Sequence, residues 1–144
     1  MKTVGHLSYI GIRDPEDGCE VIVKDHLTNS SRPLSMRLDL FNHSPTGFEW
    51  SYSGSGPAQT ALAILANHFI DKEHHAPALL ALGLTDLPSE DERMGNEIHE
   101  YLAVRLHQTF KFRVIAGLPR EGWELHEDEI DRILIGMVKH EATA

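Results

Sequence analysis

The residues best suited to chemistry stand in one run, Gly47-Phe48-Glu49-Trp50-Ser51-Tyr52-Ser53-Gly54-Ser55-Gly56-Pro57-Ala58-Gln59. An extended pattern stops at Gly54-Ser55-Gly56, and a helical pattern starts directly after it. Glycines, having no Cβ, let backbone N–H groups come close to an anion. The unpaired donors of a helix start add partial positive charge, and Ser53 and Ser55 add hydroxyls. Such a turn suits a phosphate or pyrophosphate. It suits equally a tight junction capped by a small polar residue, with Ser55 and Gly56 as the cap candidates. Spacing excludes two sharper motifs. Gly54 is not followed by the Gly-Lys-Ser/Thr of a phosphate-binding loop, and Ser53 stands where a Gly-x-Ser-x-Gly nucleophile elbow needs glycine. Phe48, Trp50 and Tyr52 alternate beside the turn. They offer a stacking face for a base, or they pack beneath the first helix.

A second run, Phe110-Lys111-Phe112-Arg113, has Arg105 two turns earlier on the face of Arg113. Arginine holds phosphate with two parallel hydrogen bonds, although cations near a helix C-terminus also complement its dipole. If that helix ends beside Gly54–Gly56, the two runs form one pocket. Of ten histidines, His68, His74 and His75 lie close together in sequence, and His99 and His107 share a helix. They carry no zinc-binding spacing with a carboxylate, so they read as surface or internally satisfied side chains, and no metal site is expected. Glu90-Asp91-Glu92 reads as a solvated loop and Glu127-Asp128-Glu129 as a helix start. Cys19 reads as a small buried hydrophobe inside a strand. No nucleophile and general-base pair stands out, so no catalytic residue and no cofactor are expected.

The elements that must hold these runs follow from periodicity. Residues 3–12 and 19–24 are β-rich and separated by Arg13-Asp14-Pro15-Glu16-Asp17-Gly18, a turn-forming stretch, which predicts a hairpin. Leu34, Met36, Leu38 and Leu40 alternate with polar residues and predict a third strand; Phe48 to Tyr52 predicts a fourth strand or an extended arm. Ala58, Ala61, Leu62, Leu65 and Phe69 follow helical spacing, with Pro57 suited to the first turn. Residues 72–96, broken by Pro77, Gly83, Pro88 and Gly95, read as an irregular insertion with one short helix. A second long helix is expected from about Glu97 to about Ile115, then a short extended segment at Trp123-Glu124-Leu125. A last helix carries the stripe Ile130, Ile133, Leu134, Met137, Val138, with Glu127 to Glu129 in its first turn and Lys139 and His140 in its last. Strands first and helices after predict an α+β fold, an N-terminal antiparallel sheet with helices packed on one face.

The chain has 144 residues with 22 acidic and 13 basic side chains, a net charge of −9. That length fits a single domain over residues 1–144 with a self-sufficient core. A negative field argues against sequence-independent grip on a DNA or RNA duplex, which needs many cationic contacts. One cysteine excludes an internal disulfide and suits a reducing cytoplasm. The start resembles no secretory signal, and no run approaches the ~20 apolar residues of a membrane helix, so no membrane partner is expected.

Two stretches, GFEWSYSGSGPAQTALAIL and FKFRVIAGLPREGWELHEDEI, resemble a family of uncharacterised domains scattered through phages, prophages and mobile elements. That family is similar to the first class of Thoeris anti-defence proteins, phage sponges for cyclic ADP-ribose isomers; related members bind cyclic oligonucleotides. The likeness takes in Tyr9 to Arg13, Leu38 to Leu65 and Phe110 to Ile130. It implies binding without turnover in the cytoplasm of an infected bacterium, within a homo-oligomer such as a hexamer built from dimers. It implies Gly54, Ser55, Gly56 and Gln59 at the phosphates and ribose, Phe48 and Trp50 for stacking, and Phe110 and Arg113 from the second stretch, the arginine supplying charge. Residues 72–96 are longer than the family's usual spacer. Two other classes remain open on the residues alone: an enzyme acting on a nucleotide or phosphoester, and a small module that blocks a host protein.

Overall fold

The computed structural model describes residues 5–143, with side chains through Val138, so Thr3 at the expected start of the first strand and Lys139 and His140 near the chain end lie outside the described residues. Strands β1 (Leu7–Asp14) and β2 (Gly18–Asp25) form the expected hairpin, with Ile10 opposite Ile22. Its turn is closed by Asp14, whose Oδ1 accepts from the backbone N–H of Glu16 and Asp17, and by Gly18 at φ +82°, a conformation that glycine adopts without strain.

The third strand is displaced. β3 is Ser30–Pro33, on the edge of the sheet, and the alternating Leu34–Leu40 stretch is not a strand. After Leu34 N donates to Val21 O, the chain leaves the sheet, and Arg37 adopts a left-handed conformation at φ +52°. Arg37 is held there by Asp39 and by Glu100, a long-range anchor that alternation cannot reveal. The Phe48–Tyr52 segment is likewise unpaired with the sheet, which makes it the extended arm. The fourth strand, β4 (Gly122–His126), comes from the short segment around Trp123 and pairs antiparallel with β1, giving the order β3-β2-β1-β4.

Among the described residues, four α-helices follow the hairpin: α1 (Ser55–His68), α2 (His75–Ala81) inside the expected insertion, α3 (Ile98–Arg113) and α4 (Glu127–Thr143). α3 starts with a reciprocal capping box between Glu97 and Glu100, which satisfies two otherwise orphaned amides. The fold is α+β, with its helices on one face of an antiparallel sheet. Tyr9, Val21, Val23, Trp123 and Leu125 point inward from the sheet to meet Leu62, Ile64, Leu65, Phe69, Leu102, Phe110, Ile130 and Leu134. On the opposite face, Ile12 and Glu124 are exposed. α1 is buried on nearly every side because it runs through the middle of this layer, where small residues such as Ala61, Ala63 and Ala66 admit its neighbours.

Candidate functional site

The arm is fastened to α1 by side chains in place of a strand ladder. Thr60 Oγ1 accepts from Glu49 N and donates to Glu49 O, while Ser51 N donates to Ile115 O beyond the end of α3. Ser51 has φ +71°, a left-handed conformation that turns the chain so that the Tyr52 ring lies over Gly54. A Cβ on Gly54 would stand 2.8 Å from Tyr52 Cε2, and one on Gly56 would stand 2.5 Å from Glu49 Cβ. Gly56 is therefore required by close approach of the arm to the helix start, whereas a side chain at position 54 would have to push the half-exposed Tyr52 ring aside. The N-cap is Gly54, which corrects the expectation for Ser55 and Gly56, and it supplies no side-chain bond to the first-turn amides.

Beside this turn lies a polar cleft of about 390 Å³, within the lower range of small-molecule pockets. Its wall on the helix side comes from Ser55, Gly56, Tyr52 and Glu49, with Ser44, Thr46, Gly47 and Phe48 from the loop before the arm. The hairpin turn closes the other side with Asp17, Gly18 and Cys19. Cys19 is thus half-buried at the lip of a cleft, where burial raises its thiol pKa, and it is not sealed in the core as its strand position suggested. Arg13 grips Glu49 with two nitrogens, at 2.7 and 3.2 Å, and donates from Nε to Arg120 O. The guanidinium holds the Glu49 carboxyl below its usual range, so Glu49 is ionised at the cleft wall.

The eight residues expected to bind ligand are only partly brought together. Ser55, Gly56 and Phe48 line the cleft and Gly54 adjoins it. Trp50 is fully buried: its Nε1 donates to Arg120 O, Trp123 meets it edge to face, and Arg13 lies 5.3 Å above its ring. With both faces committed to the protein, Trp50 cannot stack on a base, and the half-exposed Tyr52 is the aromatic at the rim. Phe48 keeps only 7% of its surface exposed. Gln59 is interior too. Its Oε1 accepts from His43 N and Ser44 N, and its Nε2 donates to Met36 O. Phe110 is in the core, corrected from a ligand contact to a packing residue. Arg113 is exposed on α3 and stands outside the residues lining the cleft, although the bond from Ser51 to Ile115 draws the end of α3 towards the arm.

Sequence reasoning missed a second constellation. His68, at the end of α1, and His74, before α2, are buried together with Glu127 and Asp131 of α4. His68 Nε2 lies 2.8 Å from Asp131 Oδ1; His74 Nδ1 lies 2.6 Å from Asp131 Oδ2, and His74 Nε2 lies 3.1 Å from Glu127 Oε2. Of the two readings for these histidines, surface or internally satisfied, His68 and His74 take the second, while the purely terminal role expected of Glu127 is corrected. Burial pulls the His74 pKa down, but hydrogen bonds to Asp131 and Glu127 outweigh it and raise the pKa to about 10. Burial pushes Glu127 up, yet the bonds from His74, Leu7 N and His6 N bring it to about 2. Desolvation dominates at His68 and keeps it neutral. The sequence signal was the helical stripe of α4, which places Glu127 and Asp131 one turn apart.

His107 is buried as well and internally satisfied, its Nε2 3.0 Å from that of His43 and its Nδ1 2.7 Å from Val104 O. Among the described residues, no helix is long and apolar enough to cross a membrane.

The fold and site define a small α+β protein whose arm, first helix and hairpin turn enclose a polar cleft. The chain belongs to a family of unknown function (DUF6166), whose model matches residues 9–82, from β1 through the hairpin, the arm and α1 to the end of α2. Neither a curated protein nor a solved structure matches it.

Proposed function

We propose that this protein is a binding protein that sequesters, without cleaving, a signalling nucleotide of the cyclic ADP-ribose type in the cleft at the start of α1. The observation that carries the reading is an uncapped helix start opening on a polar cleft of about 390 Å³. First-turn amides and the Ser55 hydroxyl suit phosphate oxygens. The carboxylates of Asp17 and Glu49 suit ribose hydroxyls, since an ionised carboxyl only accepts hydrogen bonds. Tyr52 offers a face for the base. Arg13 supplies charge at the Glu49 side, and exposed Arg113 is open to the ligand of a neighbouring copy in a homo-oligomer. A sponge of nanomolar affinity needs about −12 kcal/mol, which favours enclosure by such an assembly. On this reading the protein acts in the cytoplasm of an infected bacterium, withholding a signal from its effector.

Native mass spectrometry of the purified protein with cyclic ADP-ribose, ADP-ribose and a cyclic dinucleotide tests this. A retained cyclic nucleotide, recovered intact after heat denaturation, is the expected result. Ser55→Asp should weaken binding at least tenfold while keeping the fold, because an acidic side chain in the first turn favours a helix but repels phosphate. Tyr52→Ala should weaken it to a similar extent. Recovery of a cleaved product, absence of any retained nucleotide, or indifference to both substitutions overturns the reading.

A further inference from the structure

From the buried cluster of His68, His74, Glu127 and Asp131 we infer a structural site for a divalent transition-metal ion of the zinc class, distinct from the cleft. Polar atoms of His68, His74 and Glu127 all lie within 4.8 Å of one another. Asp131 bridges the two histidines, with one carboxylate oxygen on each. Ligands of a tetrahedral ion with bonds of 2.0–2.1 Å stand roughly 3.3 Å apart. The His74 Nε2–Glu127 Oε2 contact at 3.1 Å needs to open by only a few tenths of an ångström to admit one. Two imidazoles and a carboxylate form a borderline donor set, suited to zinc and its first-row neighbours over calcium or magnesium.

A further observation points to a ligand. His68 is fully buried, yet its Nδ1 finds no hydrogen-bond partner among the described residues. An orphaned ring nitrogen in the interior is costly, and either ring flip or metal ligation through that edge relieves it.

The surroundings resemble the outer shell of a metal centre. Glu127 Oε1 accepts from the backbone N–H of both His6 and Leu7, which fixes the carboxylate and ties it to the first strand. The ion would cross-link α1, the turn before α2, and α4 through His68, His74 and Glu127, with Asp131 accepting from the outer ring nitrogen of each histidine.

The test uses the untagged full-length chain, stripped with EDTA and reloaded. One equivalent of Zn(II) should survive desalting in native mass spectrometry, and Co(II) loading should give the intense visible bands of a tetrahedral site, displaced by Zn(II). Asp131→Asn and His68→Gln, checked for folding by circular dichroism, should lower retention at least tenfold; His43→Gln, in the separate pair with His107, should leave it unchanged. Failure of the folded wild-type protein to retain Zn(II), an octahedral Co(II) spectrum, or equal loss in His43→Gln overturns the site and leaves a purely hydrogen-bonded network. Nucleotide plays no part in these readouts, so they stand or fall apart from the cleft.

Discussion

Gln59 commits its whole amide to the protein: two backbone N–H groups of residues 43 and 44 converge on Oε1, and Nε2 reaches Met36 O. This clamp fixes the loop that forms one wall of the cleft. Gln59→Leu keeps the volume but leaves three backbone groups without their partner, at about 1–3 kcal/mol for each that water does not reach. We expect a loss of about 2–4 kcal/mol in urea unfolding. A residue that served only as a ligand contact would leave the urea midpoint where it is. Glutamine in the second turn of an apolar helix gives no hint of such partners, since they lie 15 to 23 positions away. The same holds for Trp50. Alternation marked one side of the arm as apolar, but only the folded chain shows that the indole is covered by Trp123 and Arg13.

At the scale of elements, the amphipathic patterns were legible where one face of an element meets the core. The hairpin, the stripe of α4 and the capped start of α3 all follow local rules. Leu34–Leu40 broke them because Arg37 is anchored to Glu100 on another helix and a left-handed residue ends the extended run. β4 depends on an equally particular fit. Gly11 of β1 leaves room for the Trp123 ring across the ladder, and a Cβ there would stand 2.2 Å from Trp123 Cε2. Gly11→Ala should therefore displace the indole and destabilise the protein by about 3 kcal/mol. Loss of thermal stability, together with a shift in tryptophan emission towards solvent, is the expected readout.

At the scale of the whole molecule, the N-terminal and C-terminal thirds are interdependent. β1 pairs with β2 on one side and with β4 on the other, and Glu127 at the start of α4 binds the entry to β1. Tyr9, Ile10 and Gly11 lie in both ladders, whereas β3 is a four-residue exposed edge. Amides of β1 should exchange with solvent deuterium only through global unfolding, and those of Ser31 and Arg32 through local opening. NMR-detected exchange checks this. Equal protection of β3 would mean that another copy covers the edge in solution.

The sequence by itself determined the class of fold, the hairpin, the long helices and the placing of a glycine-rich turn at the start of the first helix. Each is set by local propensity and by the period with which apolar residues recur. Only the tertiary structure decided which polar groups meet. It separated Arg113 from the lining of the cleft, brought Arg13 to Glu49, and gathered His68, His74, Glu127 and Asp131 from three separate stretches of chain. Contacts of that kind depend on how packed elements are oriented, and no spacing along one chain encodes the distance between residues 63 positions apart.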